Sequence, residues 1–335
     1  MSIWRGKYGP LLIAEIGGNH EGDFDYALRL TELAIESNVD YIKYQIYTGD
    51  TLVNPVENPT RHKHFKKFEL SEEKYRQLAH MCQDAGIGFM ASVWHPEFTT
   101  WVDDFSSIYK IGSGDFTAYP VLASFVQMGK PLLLSTGLSN LEEVIRTVQY
   151  VQGLDEKYKD PEMLAVLQCT SMYPIPFSAA NLSTMQVMKE QLNLPIGYSD
   201  HTEGSYALEI AVAMGAEILE FHFTDSREGK TFRDHKVSLT RDEVWDLQKK
   251  IQQIKDLQGD GKKVCLPEEE VHLISFRRGL YLNKDMQAGS EVTKDDIVSL
   301  RPNHGIDARE YDRLIGKTLT TDIKQFEKLD WQNFK

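Results

Sequence analysis

Between Leu11 and Leu257 the chain repeats one change of texture eight times: a short apolar run, then a stretch that mostly shows apolar residues at helical spacing. Short apolar runs bounded by turns read as buried strands, and apolar residues every three to four positions read as amphipathic helix. The strand candidates are 11–15, 41–45, 88–92, 107–111, 131–135, 163–169, 195–199 and 217–221. Helical patterns cover 24–37, 72–85, 120–128, a run capped by Asn140, about 180–190, 204–214 and 240–257; Thr240 and Glu243 supply a capping box for the last. Strands alternating with helices imply a parallel sheet. Eight such units in about 250 residues match a closed (β/α)8 barrel, an α/β TIM-barrel fold. An open doubly wound sheet competes, but Gly17-Gly18-Asn19-His20 after the first strand is not the G-x-G-x-x-G that such sheets usually carry there.

The pattern breaks in two places. Residues 48–69 are polar, carry Pro and His, and are long enough to be a functional loop. Residues 261–274 are rich in Lys and Glu and read as a linker. The expected organisation is therefore a barrel over 1–260, the linker, and a small domain over 275–335 built of short strands and Gly-punctuated turns. A formal net charge of −13 argues against a broad nucleic-acid or anionic-membrane surface. Three scattered cysteines form no disulfide framework, the N-terminus lacks the apolar core of a signal peptide, and no apolar run approaches membrane-spanning length; a cytoplasmic protein is expected.

In a (β/α)8 barrel, chemistry sits where the strands end and the βα loops begin. The stretch from Pro195 to Asp234 is the most telling, because two apolar runs flank a helix and each ends in a histidine, His201 and His222. If those runs pair in parallel, both imidazoles reach the same end of the sheet, where they could hold a divalent metal that polarises a carbonyl. Other strand ends supply Glu15, Lys43, Gln45, Ser92, Lys110, Ser135, Ser171, Tyr173, Ser199, Glu220 and Asp234. Lys43 and Lys110 can neutralise a phosphate as point charges. Ser113, Ser135 and Ser199, near Gly112, Gly114 and Gly137, can cradle the same anion with hydroxyls and backbone N–H groups. Glu15 could act as a general base or position a water.

Five segments carry a family resemblance: Ala14-Glu-Ile-Gly-Gly-Asn-His-Glu-Gly22, Lys110-Ile-Gly-Ser-Gly114, Leu134-Ser-Thr-Gly137, Cys169-Thr-Ser-Met-Tyr-Pro174 and Tyr198-Ser-Asp-His201. In this order and spacing they resemble the sialic acid synthase family, which condenses phosphoenolpyruvate with N-acetylmannosamine or a related amino sugar. The C-terminal segment, with Arg301-Pro302 and Gly305, is similar to the antifreeze-like (SAF) domain of that family. The resemblance implies that His201 and His222 bind Mn2+, with Mg2+ or Co2+ as alternatives. It implies that Lys43, Ser92, Lys110, Ser113, Ser135 and Ser199 hold phosphoenolpyruvate, with Ser171 at a further phosphoenolpyruvate position. Glu15, Gln45, Tyr173 and Asp234 would face the sugar or the reacting centre. Arg301 would enter the partner's barrel in a domain-swapped homodimer.

Several positions depart from the N-acetylneuraminate-forming pattern. Ser92 stands for a Thr and Ser171 for an Asn, the latter more like the pseudaminic-acid branch. Gly229-Lys-Thr-Phe-Arg-Asp234 differs from a Gly-Pro-Asp pattern, and 54–68, with Arg61, His62, His64 and Lys67, matches the usual sugar-contacting loop poorly. These differences bear on which sugar is used. The competing expectations are a synthase for a phosphorylated amino sugar, another phosphoenolpyruvate-condensing sugar synthase, or a non-catalytic carbohydrate-binding protein.

Overall fold

The computed structural model describes residues 2–335. Eight parallel strands run in chain order around a ring: β1 (Gly9–Glu15), β2 (Tyr41–Ile46), β3 (Gly88–Val93), β4 (Ser106–Ile111), β5 (Leu132–Ser135), β6 (Leu164–Cys169), β7 (Ile196–Asp200) and β8 (Ile218–His222). Each pairs with the next, and β8 returns to β1 with Leu11 opposite Ile218 and Glu15 opposite His222. The sheet is therefore a closed barrel, as the eightfold alternation predicts, and the strand ends fall within two residues of the expected ones.

Period-two alternation divides each strand between two cores. Outward residues such as Leu12, Ala14, Ile42, Tyr44, Val166 and Phe221 pack in the cluster shared with the surrounding helices. Inward residues Leu11, Ile13, Met90, Ile108, Leu133, Ala165, Leu167 and Ile218 fill the lower barrel together with Trp4. Trp4 is fully buried and donates its indole N–H to the Pro161 carbonyl at 2.7 Å. A two-residue strand, Arg5–Gly6, folds back on Gly9 and Pro10 and carries that plug. At Gly197 on β7 an added Cβ would meet the Ile218 carbonyl oxygen at 2.3 Å and Leu167 at 2.6 Å, so only glycine fits the barrel interior there.

The helices start where the chemistry of their first turns predicts. Asp23 accepts from the Tyr26 N–H ahead of Phe24–Glu36, and Asn140 with Glu143 and Thr240 with Glu243 close capping boxes. The stretch 48–69 departs from expectation. It is largely helical, with a short turn at Gly49–Leu52 and a ten-residue helix, Pro59–Phe68, that has Pro at its start and the Asn58 side chain accepting from the Arg61 N–H. Local capping chemistry outweighs the lack of a long apolar stripe.

The chain divides into two compact units, 1–259 and 260–335. Short helices at Pro267–Glu270 and Leu273–Phe276 occupy part of the stretch expected to be a plain linker. The second unit contains an antiparallel pair, Gly279–Leu282 with Ile297–Leu300, closed over a small core of Leu280, Leu282, Val292, Ile306, Leu314 and Leu329. No helix among the described residues is long and apolar enough to cross a membrane.

Candidate active site

Above the apolar layer, the next inward positions on the strands are polar. The register sets Glu15 beside Lys43 and His222, Ser92 beside Gln45 and Lys110, and Ser199 beside Cys169 and Glu220. They open into a cavity of about 980 Å3 at the C-terminal mouth of the barrel. Glu15, Lys43, Gln45, Ser92, Lys110 and Ser113 line it, as do Ser135, Ser171, Tyr173, Ser199, His201, His222 and Asp234. Arg301 lies in the second unit, just past Ile297–Leu300, with an exposed side chain.

Four buried charges form the floor. Lys43 Nζ lies 2.5 Å from Glu15 Oε2 and 3.5 Å from Glu220 Oε2, and Lys110 Nζ lies 3.4 Å from Glu220 Oε1. Hydroxyls and an amide complete the set. Lys110 donates to Ser135 Oγ at 2.7 Å, Lys43 to Ser92 Oγ at 3.3 Å, Ser199 to Glu220 Oε1 at 2.9 Å and Gln45 to Glu15 Oε1 at 2.8 Å. Two cations matched to two anions allow the lysines to stay charged although buried. Burial acts to raise the Glu220 carboxyl, but Lys110 and Lys43 outweigh it and hold it down at about 2. Burial dominates at Glu15 and pushes its carboxyl up, against the pull of Lys43 and with the help of the Glu220 charge. Burial also lowers Lys110, whereas at Lys43 it is overcome by Glu15 and Glu220, which raise it.

This arrangement makes a pH prediction. Because the Glu220 carboxyl is depressed on folding, its stabilising contribution is complete above the ordinary value of 4.5 and drains away as pH falls toward about 2. Acid unfolding of the wild type should therefore steepen over that window relative to Glu220→Gln, read by far-UV circular dichroism.

The loops after the strands add a second layer. Ser113 Oγ accepts the Gly137 N–H at 3.0 Å. A Cβ at Gly137 would meet Ser171 Oγ at 2.2 Å and Ser113 Oγ at 2.7 Å, so glycine lets both hydroxyls crowd the backbone there. Asp115 lines the same side, and burial pushes its carboxyl up to about 6.

The imidazoles converge, with His201 and His222 ring centres 5.3 Å apart and Tyr173 4.0 Å from the first. His201 Nδ1 sits 2.7 Å from the Thr170 carbonyl oxygen, which can only accept. Nδ1 therefore carries the hydrogen, and Nε2 is the nitrogen available to a ligand. Burial disfavours charge on His201, but Cys169 and the Thr170 carbonyl outweigh it and raise its proton affinity. His222 is held neutral by burial and by His201 and Lys43. Its buried Nδ1 has no hydrogen-bond partner and lies 3.9 Å from Asp234 Oδ2. Two converging imidazoles, one with an orphaned ring nitrogen, are a donor set that fits a divalent metal. Among the described residues no group of three or more His, Cys, Asp or Glu side chains is placed to hold a metal ion.

Asp234 is tied to Arg233, whose Nε lies 3.1 Å from Oδ1 and whose guanidinium covers the Tyr173 ring at 4.4 Å. Asn19, another polar strand-end residue, has a structural role: its amide donates to the Phe223 carbonyl and to Ser238 Oγ, both at 2.8 Å. Sequence reasoning gave no role to Glu220, Cys169 or Asp115, or to Tyr47 and Trp94, all of which line the cavity. For Glu220 the signal was present: two residues before His222 on one strand, it must face the same way.

A (β/α)8 barrel with buried lysines, serines and an imidazole pair gathered at its C-terminal mouth has its polar cavity where enzymes of this barrel class carry their active sites. Comparison with known proteins narrows the class. The profile of the NeuB family matches residues 30–263, and that of the SAF domain matches 277–334. An N,N'-diacetyllegionaminic acid synthase of Campylobacter jejuni is 31% identical over 95% of this chain and 98% of its own length. The N-acetylneuraminate-9-phosphate synthase of Mus musculus is 29% identical over 96% of this chain and 91% of its own. The crystal structure of N-acetylneuraminic acid (sialic acid) synthetase from Leptospira borgpetersenii, in complex with citrate, superposes with a TM-score of 0.72 at 30% identity, covering 81% of this chain and 95% of that one. The chain belongs to the NeuB family, the sialic acid synthases, and carries a C-terminal SAF domain.

Proposed function

We propose that this chain is a nonulosonic acid synthase that condenses phosphoenolpyruvate with an open-chain N-acetylated amino sugar and releases phosphate by C–O cleavage. The observation that carries the reading is the juxtaposition, in one cavity, of the Lys43/Lys110 floor and the His201/His222 pair. The lysines and the hydroxyls of Ser92, Ser113, Ser135 and Ser199 suit the phosphate and carboxylate of phosphoenolpyruvate.

His201 and His222 would hold a divalent ion, Mn2+ first among the candidates, which when bound draws electron density from the acceptor's aldehyde oxygen. C3 of phosphoenolpyruvate then forms the new C–C bond to the aldehyde carbon, and positive character builds at C2. Glu15, raised in proton affinity by burial and anchored by Lys43 and Gln45, takes a proton from the water that adds at C2. Its negative charge also steadies C2. The C2–O bond to phosphate breaks, the electron pair leaves with phosphate, and C2 becomes the ketone of the product. One water is consumed, and the former aldehyde oxygen is protonated to a hydroxyl. Tyr173 and Asp234 line the acceptor side and orient the sugar.

The same reading makes the protein a cytoplasmic biosynthetic enzyme and a homodimer in which Arg301 of one copy serves the other's barrel. The test of the reaction is phosphate release and product mass spectrometry with N-acetylmannosamine and with the 2,4-diacetamido hexoses that precede legionaminic and pseudaminic acids. Acceptor-dependent consumption of phosphoenolpyruvate is expected with at least one of them. Saturable sugar binding with no consumption would replace the synthase reading with a carbohydrate-binding one.

A further inference from the structure

Phe232, Arg233 and Asp234 belong to the segment that departs from a Gly-Pro-Asp pattern. Where that pattern has Gly-Pro, with neither charge nor side-chain donor, this chain has an aromatic ring and a guanidinium. Both are engaged. The Phe232 ring packs 5.0 Å from Phe68 and 6.2 Å from His235, and it lies against Gly18, where an added Cβ would meet it at 3.2 Å. On the other side of Arg233, Asp234 is buried and its carbonyl accepts the Ser238 hydroxyl at 2.7 Å. The backbone of Arg233 is therefore pinned at both neighbours.

The Arg233 side chain is 66% exposed. A surface arginine ordinarily contributes little, because ordering its long side chain costs conformational freedom. This one has two fixed contacts. Its Nε donates to Asp234 Oδ1 at 3.1 Å, and its planar head lies 4.4 Å from the centre of the Tyr173 ring. Tyr173 in turn lies 4.0 Å from the His201 ring and edge-on to His222 at 5.6 Å, while Asp234 Oδ2 stays 3.9 Å from His222 Nδ1. The two side chains that flank the imidazole pair come from different loops, after β6 and after β8, and Arg233 touches both. A guanidinium can do so at once because its fork is flat: the in-plane N–H groups donate while the face stacks on a ring. A lysine ammonium has no such face.

We infer that Arg233 is a positioning residue. It fixes the Tyr173 ring and the Asp234 carboxylate relative to each other, and so shapes the acceptor side of the cavity beside His201 and His222. The inference rests on the condensation reading above. Arg233 acts through these two side chains and takes no part in bond making.

The test is steady-state kinetics on wild type, Arg233→Ala, Arg233→Lys and, as a control on the same turn, Lys236→Ala, whose side chain pairs with Glu203 instead. The acceptor is whichever of N-acetylmannosamine and the 2,4-diacetamido hexoses the wild type consumes. Arg233→Ala should lower kcat/KM for the acceptor by about five- to tenfold, the scale of one ion pair and one cation–π contact. KM for phosphoenolpyruvate and the Mn2+ retained after dialysis should match wild type, because the lysine floor and both imidazoles stay in place. Arg233→Lys should recover part of the loss, and Lys236→Ala should show none. Repeating Arg233→Ala in Asp234→Asn and Tyr173→Leu backgrounds separates positioning from direct contact with the sugar. In each background its effect should shrink to less than about twofold, because the partner it positions is gone. An undiminished effect in both backgrounds, no effect in the wild-type background, or an equal loss in phosphoenolpyruvate KM or metal would overturn the positioning role and leave the synthase reading intact. Consumption of no acceptor would remove both.

Discussion

Lys43→Met should destabilise the barrel by about 3–5 kcal/mol at neutral pH, the range for removing one partner of a buried ion pair. Lys43 stands between two buried carboxylates, 2.5 Å from Glu15 and 3.5 Å from Glu220. Without it, Lys110 alone faces two anions, and one of them must give up its charge or find water. Glu15 is the one to yield, because burial already raises its carboxyl, whereas Lys110 still holds Glu220 ionised. The deficit should therefore shrink as pH falls through the carboxylate range, the reverse of the wild-type trend at Glu220. Urea unfolding at neutral and mildly acidic pH measures both effects. Glu15→Gln in the Lys43→Met background should recover much of the loss, because the pair is coupled. A loss below about 1 kcal/mol would mean the quartet is screened like a surface pair.

His222→Ala is expected to cut kcat by at least about 10³-fold, since Lewis-acid help at a carbonyl is worth several kcal/mol and about 1.4 kcal/mol is a factor of ten. The substitution removes one of two converging imidazoles and a ring nitrogen that has no other partner in the fold. Metal content supplies a readout independent of turnover. Wild-type protein dialysed against Mn2+ should retain about one ion per chain, an expected one-site stoichiometry, and His222→Ala and His201→Ala should retain far less. Chelation should abolish wild-type turnover, and added Mn2+ should restore it. Full activity in chelated wild type, or undiminished metal in both variants, would remove the metal from the reaction.

The barrel was legible because its signal is repeated and long-range. Each apolar run ends in a polar residue, and the closed ring turns those ends to one mouth. Lys43, Lys110, His201 and His222 could therefore be placed together from order alone. Glu220 stood among the strand ends without a role, although the alternation that turns His222 inward turns it inward too. The Pro59–Phe68 helix was hidden by its composition: six of its ten residues are basic or histidine, and its apolar face is only Phe65 and Phe68. Its markers, Asn58 as cap and Pro59 at the start, are local and short. Trp4 was passed over because a lone aromatic near a terminus has no periodicity; only the closed geometry shows that something must fill the barrel floor.

The most direct test of the account uses phosphoenolpyruvate labelled with 18O at its bridging oxygen, incubated with enzyme, Mn2+ and an accepted amino sugar. Attack of water at C2 followed by C–O cleavage predicts that the label departs entirely in inorganic phosphate. Label retained in the sugar acid would mean that water attacks phosphorus, and neither Glu15 as the base at C2 nor the lysine floor as the phosphate cradle would survive that result.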